Sequence, residues 1–170
     1  MLIALACAFG ATLVGGCGGG GERGAVEETA PARTVRVYFP ASDGAGLVVE
    51  RRRVPAGRPV LGAALAELAA GPRAAGAARA LPAATTVRSA SAAGGTARVD
   101  LNRAFVDHYP GGGSAAEVAV LASLVWTATA QPGVHRVLVT VEGRAPDLLG
   151  SQFDLSAPLT RADFPEGGGP

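Results

Sequence analysis

The stretch Pro110–Gly133, PGGGSAAEVAVLASLVWTATAQPG, constrains the fold more than any other part of the chain. Both ends of a helix are written in it. Ser114 is placed to cap the first free N–H groups, and Glu117, three residues on, is placed to reach back and complete a capping box. Val118, Leu121, Ala122, Val125 and Thr129 recur at helical spacing and predict one apolar stripe. Pro132-Gly133 then stops the helix. A helix with one apolar stripe is stable only against a partner, so the flanking segments must supply a sheet.

Those segments read as strands and one more helix. Thr34–Phe39 alternates, with Val35, Val37 and Phe39 on one face and Thr34, Arg36 and Tyr38 on the other. After the turn signal in Pro40–Gly46 comes a second strand, Leu47–Val54, returning as a hairpin. Arg51, Arg52 and Arg53 near its end read as a solvated edge blunted by charge, with contact to anionic lipid or wall polymer as the alternative. Pro59–Ala70 is a helix with the stripe Leu61, Ala64, Leu65 and Leu68, ended by Gly71-Pro72. Arg73–Ala84 reads as a loop because Pro82 opposes a helix.

Thr85–Ala92 and Thr96–Leu101 flank Ala93-Gly94-Gly95 and predict a hairpin. Ala97, Val99 and Leu101 face in; Thr96, Arg98 and Asp100 face out. Asn102–Tyr109 is a link in which Phe105 and Val106 cover the core edge. Val134–Val141 is the last strand, with His135 facing out. Phe153 and Leu155 pack back, and Leu148–Leu149 is short and irregular. The order β-β-α-β-β-α-β predicts an α+β fold, a small mixed β-sheet with two helices packed on one face.

The N-terminus reads as an address. Leu2–Gly16 carries no charged or strongly polar residue and is too short to span a bilayer comfortably. It ends in Leu13-Val14-Gly15-Gly16-Cys17, which resembles a bacterial lipobox. Small residues let a peptidase reach the backbone, and the thiol of Cys17 accepts the lipid. No Lys or Arg precedes the apolar run, which suggests a start codon assigned too far downstream. An ordinary secretory signal, or a retained apolar helix with an incidental Cys, are the other readings. Cys7 lies in the removed part, so the mature body carries no thiol for a disulfide, a thiolate metal site or a nucleophile. Residues 17–33 form a Gly-rich, charged tether with a reach of roughly 20–24 Å. The expected organisation is a lipoprotein signal peptide over 1–16, the tether over 17–33, one folded domain over 34–161 and a disordered tail over 162–170.

The 170 residues carry 48% hydrophobic and 17% charged residues and a formal net charge of +1, enough apolar material for one core. That balance argues against capture of nucleic acid, which needs a basic face. No motif specifies a reaction. Asp107-His108 ahead of Ser114 is a conceivable hydrolytic set, but Gly-x-Ser-x-Gly is absent and Ser114 is explained as a cap. Gly111-Gly112-Gly113 before a helix resembles a phosphate cradle, yet no strand runs into it and no Lys follows, so a helix entry is the plainer reading. Asp100, Asp107, Asp147 and Asp154 show no metal-loop spacing. Trp126 falls beside the stripe and reads as core edge or as an exposed anchor for a partner. The candidate ligand or partner contacts are therefore Gly112, Gly113, Ser114 and Trp126. Cys17 is the lipid attachment site, and no catalytic, metal or cofactor residue is assigned.

Thr34–Pro40 (TVRVYFP), Thr85–Val106 (TTVRSASAAGGTARVDLNRAFV), Gly112–Gly143 (GGSAAEVAVLASLVWTATAQPGVHRVLVTVEG) and Asp154–Arg161 (DLSAPLTR) together resemble the GerMN domain, the sporulation and spore germination family. The resemblance covers nearly all of the folded part. It implies a bacterial envelope lipoprotein, a fold related to ring-building motifs, and a non-catalytic module in sporulation, germination or envelope signalling. This chain carries one copy and no propeller, so neither known family role carries over directly. The expected function is a lipid-anchored binding or assembly module outside the cytoplasm, needing no cofactor and no nucleic acid. It would act on an envelope protein or peptidoglycan, or self-associate. The alternative is a cell-wall (peptidoglycan) hydrolase or an accessory domain of one.

Overall fold

The first two strands show how alternation builds one wall of the core. The computed structural model describes residues 31–110, 115–146 and 153–164. Strand β1 is Ala32–Pro40 and β2 is Leu47–Pro55, antiparallel from Ala32 opposite Pro55 to Pro40 opposite Leu47. Val35, Val37 and Phe39 are buried, while Thr34 and Arg36 face solvent. Tyr38 departs from the expected solvent face: it is buried, with its ring 5.6 Å from that of Trp126. Thr127 of the long helix and Gln131 just past its end also cap the β1 edge. The Tyr38 N–H donates to Thr127 Oγ1 at 2.9 Å, and Gln131 Nε2 donates to the Arg36 carbonyl at 3.3 Å. An edge so occupied cannot recruit another strand.

Helix α1, Val60–Ala70, buries Leu61, Ala64, Leu65 and Leu68 as the spacing predicts. It ends at Gly71, whose φ of 95° is one that glycine adopts without strain. The chain then runs as a loop to β3, Val87–Ala93, which turns through Gly94-Gly95 into β4, Thr96–Leu101. Both turn glycines have positive φ, 55° and 77°, as a two-residue hairpin turn requires. Strand β5, Arg136–Val141, lies parallel to β4. The fold is α+β with a mixed sheet, but the strands divide in two: a two-stranded sheet β1-β2 and a three-stranded sheet β3-β4-β5. The β1 edge away from β2 meets Thr127 and Gln131 rather than a strand of the second sheet.

After β4 the link Asn102–Tyr109 contains a one-turn helix α2, Ala104–Asp107, which carries Phe105 into the core. Asn102 anchors it by imitating a strand. Its backbone N–H donates to the Thr86 carbonyl at 3.1 Å, its Oδ1 accepts from Thr86 N–H at 2.9 Å, and its Nδ2 donates to the Ala84 carbonyl at 2.9 Å. The long helix, α3, is Ala115–Thr129. A single stripe does not describe it. Val118 and Thr129 are only half-buried, whereas every residue from Val120 to Ala128 is buried. A helix apolar nearly all round belongs in the centre of a structure, and α3 packs on β1, β5 and α1. Glu117 is fully buried and accepts a hydrogen bond from the Tyr109 hydroxyl at 3.2 Å. Ser114, its expected capping partner, lies outside the described residues.

The C-terminal segment closes the body. Leu159 and Val137 exchange two backbone hydrogen bonds of 2.8 Å, which covers the free edge of β5. Leu155 is buried, and the ring of Phe153 lies 5.0 Å from that of Phe164, so the expected packing of this segment holds. Order also runs past the expected start of a tail at Ala162. Thr160 caps a 3-10 turn, Arg161–Asp163, through a reciprocal box with Asp163, and Phe164 is only 2% exposed. Apolar burial of a Phe ring holds this end. The expected segment at Leu148–Leu149 lies outside the described residues.

Candidate functional site

Of the residues singled out in the sequence, Cys17, Gly112, Gly113 and Ser114 lie outside the described residues. Trp126 is described, and it is not an exposed anchor. It is 8% exposed, its Nε1–H donates to the Phe164 carbonyl at 2.8 Å, and the Arg161 guanidinium stacks over its ring at 4.0 Å. Arg161 is held there by donating to Thr129 Oγ1 at 2.7 Å. The expected core-edge role is the one found. Asp107 and His108 form no dyad. Asp107 accepts from Arg103 Nε at 3.0 Å, and His108 Nδ1 lies 3.1 Å from the Ala104 carbonyl. His135 is exposed, as its strand position predicts. Among the described residues no group of three or more His, Cys, Asp and Glu is placed to hold a metal ion.

Two ionic clusters are built into the body. Arg52, expected among exposed charges, points inward because alternation separates it from Arg51 and Arg53. It is 3% exposed and makes three hydrogen bonds: to Glu50 Oε2 at 2.8 Å, to Glu67 Oε2 at 2.8 Å and to the Gly71 carbonyl at 2.9 Å. The other oxygen of Glu50 accepts the backbone N–H groups of Arg73 and Ala74 at 2.9 and 3.0 Å. Burial pushes the Glu50 carboxyl up. The two backbone donors and the Arg52 guanidinium outweigh it and hold the group below the usual carboxylate range. The cluster ties β2 to the end of α1 and to the loop after it.

Asp100, expected to face out, is buried at the other cluster. Its Oδ1 accepts from Thr140 Oγ1 at 2.8 Å and from the Gly143 N–H at 2.7 Å, and its Oδ2 accepts from Arg88 Nη1 at 2.8 Å. Here too burial raises the carboxyl, and the Gly143, Thr140 and Arg88 donors more than offset it, so the pKa lies below the ordinary value. A carboxyl depressed in the folded state stabilises above its unfolded pKa, and that contribution is lost as pH falls through the folded value. Asp100→Ala is expected to cost about 1.5–3 kcal/mol at neutral pH. The cost should shrink on acidification, as urea unfolding at stepped pH will show.

The remaining surface feature is a cationic face on the β1-β2 hairpin. The register sets Arg36 opposite Arg51, Thr34 opposite Arg53 and Tyr38 opposite Val49. Arg36, Arg51 and Arg53 are exposed, and Val49 is 48% exposed, the one large hydrophobic residue so exposed among the described residues. None of the three guanidinium groups has a hydrogen-bond or ion-pair partner among the described residues. Like charges directly opposite on a hairpin destabilise it. The described residues hold fourteen arginines and nine acids. Every one of those acids is engaged elsewhere: Glu50 and Glu67 with Arg52, Asp100 and Glu142 with Arg88, Asp107 with Arg103, Glu117 with Tyr109, and Asp43, Asp154 and Asp163 in local turns. The signal was present in the sequence, as Arg36 on one strand and the alternate Arg51 and Arg53 on the next, and it emerges once the hairpin register is fixed.

The body is a small α+β fold of two sheets around a buried helix. The sequence profile described as Germane, sporulation and spore germination, matches residues 36–147. The chain belongs to that family. Among solved structures it is similar to the tandem GerMN domains of the sporulation protein GerM from Bacillus subtilis, with a TM-score of 0.65, 24% identity, 87% of this chain covered and 51% of that one. The chain thus spans about half of the tandem structure. The first GerMN domain of the same protein matches with a TM-score of 0.59, 22% identity and 76% and 98% coverage of the two chains. A Clostridium perfringens protein designated a lipoprotein matches with a TM-score of 0.55, 25% identity and 79% and 91% coverage. No curated protein sequence matches. Among the described residues no helix is long and apolar enough to cross a membrane.

Proposed function

We propose that the chain is a lipid-anchored, extracytoplasmic GerMN-type module that binds or assembles envelope components through its surface and performs no chemistry of its own. The observation that carries this reading is the distribution of its ionisable groups. The described acids sit in structural clusters or turns, and three unpaired arginines, Arg36, Arg51 and Arg53, share the outer face of the β1-β2 hairpin. The lipobox ending in Cys17 and the lipoprotein designation of the Clostridium perfringens relative support the anchor. Membership of the sporulation and germination family supports a role in that setting. An acyl chain contributes about 0.8 kcal/mol per buried CH₂, so a diacylated Cys17 would hold the protein on a membrane without a spanning helix.

Cys17→Ser tests the reading. The wild-type protein should incorporate palmitate and sediment with membranes. The variant should lose the label and retain its unprocessed leader. Equal fractionation of the two, with no acyl group on Cys17, contradicts it.

A further inference from the structure

We infer that the Arg36, Arg51 and Arg53 face of the hairpin docks on the anionic phospholipid surface of the membrane that carries the protein. This rests on the anchored reading for its setting, and the physical case is separate. The face is the outer side of a two-stranded sheet, with Tyr38 covered by Trp126 towards one end and Arg36, Arg51 and Arg53 open to solvent towards the other. Its three arginines are exposed and unpaired, and Arg36 stands directly opposite Arg51, an arrangement that costs stability in the free protein and is relieved by an anion. No acid of the described residues is available to relieve it, because each is engaged elsewhere. Val49, on the same face, adds an exposed apolar side chain for the headgroup boundary.

Position favours the same occupant. The described part begins at Pro31, one residue before β1, and only residues 18–30 separate it from Cys17. A lipid on Cys17 would therefore deliver this hairpin, before any other element, to the bilayer. Charge complementarity and that short connection select the lipid surface over a distant protein partner. Arginines near an anionic leaflet each raise binding by about five-fold, so three acting together give about a hundredfold.

The test uses the chain from residue 17 onward with Cys17→Ser, which carries no acyl group and keeps every contact described above. Its partition is measured by sedimentation with phosphatidylcholine vesicles, with and without one-third phosphatidylglycerol. Binding is expected only with phosphatidylglycerol and is expected to weaken as salt rises. Combined Arg36→Gln, Arg51→Gln and Arg53→Gln should lower partition about a hundredfold. Arg98→Gln with Arg144→Gln, exposed elsewhere on the body, should leave it unchanged. Should the triple variant fail to fold by circular dichroism, the single variants carry the test, each with about a five-fold loss. Equal partition with and without phosphatidylglycerol, or undiminished binding by the triple variant, overturns the inference. Retention by a soluble glycerol-phosphate polymer without vesicle binding assigns the face to a wall polymer and also overturns it. Vesicle binding that appears only after Glu22→Gln, Glu27→Gln and Glu28→Gln places the acidic tether on the face, with the same consequence. Because the protein in this assay is unlipidated, its failure leaves the Cys17 anchor standing, and failure of acylation in cells leaves the vesicle result standing.

Discussion

Arg52→Ala is expected to lower folding stability by about 3–5 kcal/mol, the cost of breaking a buried ion pair by removing one partner. The guanidinium serves three acceptors at once: Glu50, Glu67 and the Gly71 carbonyl at the end of α1. Its removal leaves the Glu50 carboxylate in a site where only the Arg73 and Ala74 N–H groups still favour the charged form. The Glu50 pKa should then rise, because the Arg52 guanidinium no longer favours the charged form. The sign for the wild type follows from its depressed carboxyl. Glu50 stabilises the fold above the unfolded carboxylate pKa and loses that contribution as pH drops through the folded value. The gap between wild type and variant should therefore be widest at neutral pH and close on acidification. Arg52→Lys should recover only part of the loss, because one ammonium cannot match a planar fork that reaches three acceptors. Urea unfolding with unchanged m-values checks this. A change within about 0.5 kcal/mol would mean that Arg52 is an ordinary surface charge.

Trp126→Ala is expected to cost about 3–5 kcal/mol, as for a large aromatic side chain removed from a core. The ring packs on Tyr38, lies under Arg161 and donates to the Phe164 carbonyl, so it joins β1, α3 and the C-terminal segment. Trp126→Phe keeps most of the ring and leaves that carbonyl without its donor, for a loss of about 1–3 kcal/mol. The chain has one Trp, which makes the native state easy to follow. Its emission should be blue-shifted and poorly quenched by acrylamide, and both properties should vanish on unfolding. Unchanged stability in Trp126→Ala, with loss of binding to membranes or partners, would restore the exposed-anchor reading.

The parts of the fold that were legible in the sequence are those fixed by local periodicity. The inward faces of β1, β4 and β5, the stripe of α1, the Gly94-Gly95 turn and the α+β class all follow from alternation, helical spacing and turn chemistry. Periodicity gives the face a side chain takes; it does not say what lies over that face. Its alternation with Arg36 puts Tyr38 on the solvent face, yet α3 brings Trp126 onto it from 88 positions along the chain. Asp100 sits on the outer face of its strand as read, and becomes buried because Thr140, Gly143 and Arg88 enclose it. Thr127 and Gln131 reach the β1 backbone beside the split into two sheets, a contact no pattern within β1 encodes. At the C-terminus, Phe164 was lost in a Gly- and Pro-rich context that resembles a tail. The candidate surface was half legible: a run of three arginines is visible, but register and alternation are needed to separate buried Arg52 from Arg51 and Arg53 and to add Arg36 from the neighbouring strand.

Arginine-directed chemical footprinting of the native protein in membranes, read by mass spectrometry against the detergent-solubilised protein, is the most direct measurement of where the working surface lies. Arg36, Arg51 and Arg53 should lose reactivity in the membrane while Arg98 and Arg144 keep theirs, and Arg52 should be unreactive in both states. Equal reactivity of the three hairpin arginines in membrane and detergent, or protection confined to Arg98 and Arg144, would contradict the account.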